Sequence, residues 1–231
     1  MPAHSILSWR LSILHNLIIF GGAFDPIHTG HLTLAKKVQD QFHFQKFIFL
    51  PSKQPVLDKK PTIASAEQRK HMIQLAIADM PSSYHFEVDD RELQRQTPSY
   101  SAISLQSYRH QYGVKESITF LLGYDAFLQL PQWYHWEELF SLCNFLVVQR
   151  PGHSFQALPP ALQIQLEQRQ TNNYADLLTT PSGRIMSYDA GNYSISSSQI
   201  RAALTAKQPL PPGTVPDAVL KYLLEKKLYS N

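Results

Sequence analysis

Two histidines, a pair of glycines and an Asp-Pro turn stand close enough in this sequence to bind phosphate. In Phe20-Gly-Gly-Ala-Phe-Asp-Pro-Ile-His-Thr-Gly-His31, Gly21 and Gly22 follow a short apolar run, and His28 and His31 come three residues apart. Glycine has no Cβ, so the backbone at Gly21 and Gly22 can approach a ligand closely. Pro26 fixes the turn and sets both histidines beside the first turn of the next helix. Free N–H groups and the positive end of a helix dipole favour an anion there. Two imidazoles add donors able to carry charge near neutral pH. An ordinary pair of polar residues at a helix start is the plain alternative. Zinc is the poorer reading, because no third ligand and no general-base glutamate stands near the pair. A second constellation, Ser196, Ser198 and Arg201, lies near the other end of the chain. Serine hydroxyls at a helix start can cap it or hold phosphate oxygens, and arginine offers a planar fork matched to phosphate. A serine cap with a solvated arginine is the alternative here.

The elements that must position these groups alternate in type. Leu17 to Phe20 reads as a buried strand, and Leu32, Leu34, Ala35, Val38 and Phe42 repeat at helical spacing. A second strand is expected at Lys46–Leu50, followed by a polar loop from Pro51 to Ala64. Ser65-Ala-Glu-Gln68 has the form of a capping box opening a helix with Met72, Ile73, Leu75, Ala76 and Ile77. Strands are then expected at Tyr84–Val88, Ile118–Leu122, Phe145–Val148 and Arg184–Tyr188. Helices are expected from a Ser99 cap to Tyr112, at Glu137–Leu142, Ala161–Arg169, Ser197–Ala206 and Pro216–Lys226. This order argues for an α/β, Rossmann-like, mostly parallel sheet with helices on both faces and a small C-terminal helical segment. Ligands of such sheets bind beyond the carboxyl ends of the strands, where the glycine-histidine loop sits.

Composition bounds the rest. With 231 residues, 43% of them apolar, the chain suits one domain with an ample core. A net charge of +3, with no block of like charges, suits phosphate handling and argues against a nucleic-acid surface. Its single cysteine, Cys143, excludes an internal disulfide, is compatible with a reducing compartment and reads as a small core residue. Residues 11–20 resemble a signal peptide superficially, but His15 and Asn16 interrupt them, and they are too short to span a bilayer. The expectation is a tail over residues 1–15, one domain over 16–231, a cytoplasmic location and no membrane partner.

Gly22-Ala-Phe-Asp-Pro-Ile-His-Thr-Gly-His31 resembles the first signature of the nucleotidyltransferase superfamily of α/β phosphodiesterases, and Ile195-Ser-Ser-Ser-Gln-Ile-Arg201 resembles its second, Ile-Ser-x-Thr-x-x-Arg. Within that superfamily the chain after residue 16 is similar to the bacterial nicotinate-nucleotide adenylyltransferases. Supporting stretches are Glu67–Lys70, Pro98–Ser101, Leu122–Asp125, Trp133–Trp136, Arg150–Gly152 and Val219 through Tyr229. The resemblance implies adenylyl transfer from ATP to nicotinate mononucleotide, with Mg²⁺ bridging the triphosphate. It implies that His28, His31 and Arg201 stabilise charge on the α-phosphorus and the leaving pyrophosphate. Gly21, Gly22, Phe24, Gly123, Asp125, Ser196 and Ser198 would bind ATP, with Asp125 accepting from ribose hydroxyls. An N-cap role is the alternative for Asp125. Trp133 would stack on the pyridine ring, and Tyr134, Ser101, Ala102 and Lys59 would complete the acceptor site. Ser198 replaces the family's threonine and keeps its hydroxyl. The family's Pro-Pro-His-Lys element reads Pro55-Val-Leu-Asp-Lys59 here, with Asp58 in place of histidine, so Lys53 or Lys60 could also supply the charge.

Two rival readings belong beside this one. The same chemistry could act on nicotinamide mononucleotide or on phosphopantetheine. Alternatively the fold could serve as a nucleotide-binding module without turnover, which the presence of both histidines and Arg201 argues against.

Overall fold

Six strands, β1 (Asn16–Gly22), β2 (Lys46–Pro51), β3 (Phe86–Val88), β4 (Ser117–Gly123), β5 (Asn144–Gln149) and β6 (Ile185–Asp189), form one sheet in the computed structural model. The structure describes residues 16–53, 61–149, 158–191 and 195–230. Strand order is β3-β2-β1-β4-β5-β6, and every neighbouring pair is parallel. The winding reverses between β1 and β4. Their carboxyl ends therefore part and leave a crevice, the usual ligand position in such sheets.

Pleating divides the core. Ile18 and Phe20 of β1 point to a cluster with Val38, Met72, Ile73, Ile200, Val219 and Leu223, while Leu17 and Ile19 point to one with Leu105, Tyr108, Phe127, Leu139 and Leu162. The first cluster draws on helices α1 (Thr29–Phe42), α2 (Ala66–Ala78), α8 (Ser197–Thr205) and α9 (Asp217–Glu225). The second draws on α3 (Ser101–Tyr112), α4 (Tyr124–Leu128), α5 (Leu139–Leu142) and α6 (Pro160–Arg169). A short α7 (Asp176–Thr179) precedes β6. Both faces of the sheet are thus covered, which is why its strands read as unbroken apolar runs. Cys143 is buried in the second cluster, and burial pushes its thiol well above the ordinary range. No described helix is long and apolar enough to cross a membrane.

Several expected boundaries move. β1 runs on through Gly21 and Gly22, so the glycines end the strand rather than follow it. α3 starts at Ser101 with Tyr100 in the N-cap position; Ser99 is not the cap, because its hydroxyl accepts the Lys53 N–H at 2.9 Å instead. β3 is shorter than expected, since Ser82–Tyr84 forms a single 3-10 turn ahead of it. Trp136–Glu138 is likewise a 3-10 turn leading into α5. The tail over residues 1–15, Asp58, Lys59 and Lys60 of the basic loop, and Arg150–Gly152 lie outside the described residues.

Candidate active site

The two sequence motifs meet at the Asp25–Pro26 turn. Ser197 Oγ donates to the Pro26 carbonyl at 2.9 Å, and Arg201 Nη1 donates to the Asp25 carbonyl at 2.6 Å. Arg201 Nη1 also lies 3.9 Å from the Asp25 carboxylate, and its Nη2 lies 3.5 Å from Ser198 Oγ. Ser196 is the N-cap of α8 and forms a capping box with Gln199, its hydroxyl accepting the Gln199 N–H at 3.2 Å. Sequence spacing singled out Ser196, Ser198 and Arg201; the serine that touches the first motif is Ser197, which an i, i+2, i+5 pattern skips.

His28 is the N-cap residue of α1, and its backbone N–H donates to His31 Nδ1 at 3.3 Å. With Nδ1 accepting, the neutral His31 imidazole carries its proton on Nε2. The two rings stack at 3.7 Å, and His31 also packs against Phe24 at 5.1 Å and Phe20 at 5.9 Å. His28 Nδ1 is buried without a hydrogen-bond partner. Burial lowers the His28 pKa to about 4; burial and the neighbouring His28 lower that of His31 well below its ordinary value. Without ligand, both imidazoles are thereby held neutral at pH 7. Of the first N–H groups of α1, that of Thr29 donates to Thr214 and that of His31 to the His28 carbonyl.

Behind the histidines lies a network that spacing did not reveal. The Asp25 carboxylate accepts from the Ile63 N–H at 2.9 Å, the Ala64 N–H at 3.1 Å and the Tyr229 hydroxyl at 2.6 Å. Arg69, with no exposed surface, donates to the carbonyls of Ala23 at 2.6 Å and Lys53 at 3.2 Å. Burial pulls its guanidinium below the usual range, opposed by Asp25 and Tyr229. Arg69 and Tyr229 occur in stretches shared with the resembled family, but no local pattern points to their contacts. Lys53, a candidate for the loop's positive charge, instead donates its ammonium to the Arg95 carbonyl.

A cavity of about 200 Å³ opens beside this loop, at the carboxyl ends of β1 and β4. Gly21, Gly22, Ser101, Gly123, Trp133 and Tyr134 line it, whereas Phe24 is buried behind the loop and Ala102 faces the core from the first turn of α3. Packing gives the two glycines a further reason. A Cβ on Gly21 would meet the Phe120 ring at 3.0 Å, and one on Gly22 the Phe24 ring at 3.1 Å, so the chain's own rings occupy that space. At Gly123 nothing lies within 4 Å. Trp133, half-buried, stands edge-on to Phe120 at 6.3 Å, and the exposed Tyr134 stacks on Tyr100 at 4.6 Å across the cavity mouth. Asp125 lies inside the first turn of α4 and is exposed, and Gly123 holds the N-cap position; the N-cap alternative for Asp125 is therefore wrong. Glu92, also missed, is a buried wall residue whose carboxyl accepts from Ser104 Oγ and is raised by burial.

Among the described residues no group of three or more His, Cys, Asp or Glu is placed to hold a metal ion. The Asp25 carboxylate is already occupied by three donors. These residues do not fit a protein-held cation.

Residues 19–203 match the model of the cytidylyltransferase-like family. The chain is 41% identical over 216 residues to a probable nicotinate-nucleotide adenylyltransferase of Legionella pneumophila, covering 94% of this chain and 100% of that one. A Shigella boydii relative with the same description is 34% identical, covering 91% of this chain and 97% of its own. The fold is similar to that of Plasmodium falciparum nicotinic acid mononucleotide adenylyltransferase complexed with NaAD, with a TM-score of 0.68, 19% identity, and 93% and 97% of the two chains covered.

Proposed function

The chain belongs to the nicotinate-nucleotide adenylyltransferases of the cytidylyltransferase-like family, and from that premise we propose how its residues carry the reaction. It transfers the adenylyl group of ATP to nicotinate mononucleotide, giving nicotinate adenine dinucleotide and pyrophosphate. The observation that carries the site assignment is the meeting of the two motifs at the Asp25–Pro26 turn, through Ser197 and Arg201. In this reading residues 16–231 act as one cytoplasmic nucleotidyltransferase domain behind a tail over 1–15. Mg²⁺ would arrive with ATP as part of the substrate and would offset charge on the polyphosphate.

The acceptor's 5′-phosphate oxygen attacks the α-phosphorus in line. A new P–O bond forms, the bond to the β-phosphate bridging oxygen breaks, and that oxygen leaves with pyrophosphate carrying the electron pair. No covalent nucleophile is needed. Alignment of two bound reactants alone can contribute about 7–11 kcal/mol of barrier lowering. His31 Nε2–H and Arg201 donate to the triphosphate as negative charge moves toward the leaving group. The buried Nδ1 of His28, lacking a protein partner, takes a proton when the polyanion arrives and raises its pKa. Gly21, Gly22 and Phe24 shape the loop, Ser196 and Ser198 stand at the α8 terminus, and Gly123 and Asp125 meet the ribose. The pyridine ring stacks on Trp133, with its carboxylate toward the start of α3 at Ser101–Ala102 and toward Tyr134; Lys59 contacts phosphate.

Steady-state rates with nicotinate and nicotinamide mononucleotides test the acceptor. A kcat/KM for the nicotinate form at least about tenfold higher, some 1.4 kcal/mol of discrimination, is expected. Equal use, or preference for the amide, contradicts the assignment.

A further inference from the structure

Tyr229, beyond the last helix, reaches a carboxylate 204 residues away in the sequence. The tyrosine is gripped at both ends. Its carbonyl accepts from Thr205 Oγ1 of α8 at 2.8 Å, and its phenol donates to Asp25 at 2.6 Å. Its backbone sits in the left-handed region, φ 63°, which non-glycine residues seldom adopt, so the surrounding contacts must hold it there. Asp25 in turn shares its turn with Arg201, which bonds the Asp25 carbonyl and lies against the carboxylate. Asp25 and Tyr229 are 4% and 6% exposed, so no water readily replaces a lost donor.

We propose that Tyr229 is a positioning residue for adenylyl transfer: its phenol, bonded to the Asp25 carboxylate, holds the Phe24–His28 turn and Arg201 in the geometry that meets the triphosphate. This rests on the function proposed above. Removing the hydroxyl leaves the carboxylate with two backbone donors and a free lone pair beside Arg201. The guanidinium then swings from the Asp25 carbonyl toward the carboxylate and away from the phosphates. The acceptor cavity, whose walls do not include Tyr229, is untouched.

Tyr108 supplies a matched control, because it too is a buried tyrosine donating to an aspartate, Asp89, at 3.0 Å. Tyr229→Phe is expected to lower kcat about tenfold and to weaken pyrophosphate binding about fivefold by calorimetry, with acceptor KM within about twofold. Tyr108→Phe should lower Tm comparably and leave both kcat and pyrophosphate affinity unchanged. If Tyr229→Phe loses stability like Tyr108→Phe while kcat and pyrophosphate affinity stay within about twofold of wild type, Tyr229 is structural only and the proposal fails. Should Tyr229→Phe not fold, Thr205→Val loosens the same residue from its other end. A kcat loss of about threefold is then expected, and no loss overturns the proposal. A wild type that makes no dinucleotide from nicotinate mononucleotide defeats the proposed function instead, and the pyrophosphate comparison still decides the role of Tyr229.

Discussion

The phosphate end and the acceptor cavity adjoin at the carboxyl ends of β1 and β4, yet they are built by opposite means. At the phosphate end, polar groups hold polar groups: Asp25 takes three donors, Arg69 two carbonyls, and Arg201 the backbone of the turn. Asp25, Arg69 and Tyr229 are buried and Arg201 half-buried, and they come from the turn after β1, α2, the segment beyond α9 and α8. At the cavity, the walls are aromatic and partly open, with Trp133 half-buried and the Tyr100–Tyr134 stack at the mouth. Charge must be met at fixed points during bond exchange, whereas a pyridine ring needs only a flat apolar surface and a few donors. The contrast separates turnover from recognition.

That separation can be broken by mutation, and the largest effect belongs to the phosphate end. His31→Ala is expected to lower kcat by about 10²–10³-fold, the usual cost of removing one preorganised donor, with acceptor KM within about twofold. Steady-state kinetics check this; a change confined to acceptor KM would place His31 on the wrong side of the comparison. Trp133→Ala should do the reverse. Losing a stacking partner worth about 1–3 kcal/mol raises acceptor KM about tenfold or more and leaves ATP KM and kcat near wild type.

A smaller effect is expected from pH. The folded-state pKa of His28, about 4, lies below its ordinary 6.5, and that of His31 is lowered as well. Between those values the unfolded chain binds protons that the native site refuses, so stability is full above about pH 6.5 and falls as pH drops toward 4. Thermal unfolding of the ligand-free protein should show Tm falling by a few degrees over that window, and His28→Asn should flatten the slope. An unchanged slope would mean that His28 titrates normally in the fold.

Much of the fold was legible because its signals are periodic. β1, β2, β4 and β5 are buried on both faces and read as apolar runs, and α2 announces itself by a capping box that the structure reproduces at Ser65 and Gln68. α4 and α7, at 5 and 4 residues, are too short to show a period. Ser99 looked like a cap because serine commonly is one, but its hydroxyl was taken by a loop 46 residues away. The site divides in the same way. His28, His31, Arg201 and Trp133 stand in compact motifs. Arg69, Glu92, Ser197 and Tyr229 owe their positions to tertiary contacts, and a contact between residues 25 and 229 leaves no trace in local spacing.

The central claim is that two imidazoles, neutral in the free protein, meet the triphosphate differently, His28 by taking a proton and His31 by donating from Nε2–H. Imidazole NMR shifts of His28 and His31, titrated with pH in the absence and presence of saturating pyrophosphate, test it most directly. Without ligand, both rings should be neutral at pH 7, with a midpoint of about 4 for His28 and one well below the ordinary value for His31. With pyrophosphate, the His28 midpoint should rise by about 1–3 units, as expected beside an opposite charge. A His28 midpoint near 6.5 in the free protein, or one that pyrophosphate does not move, would contradict the account.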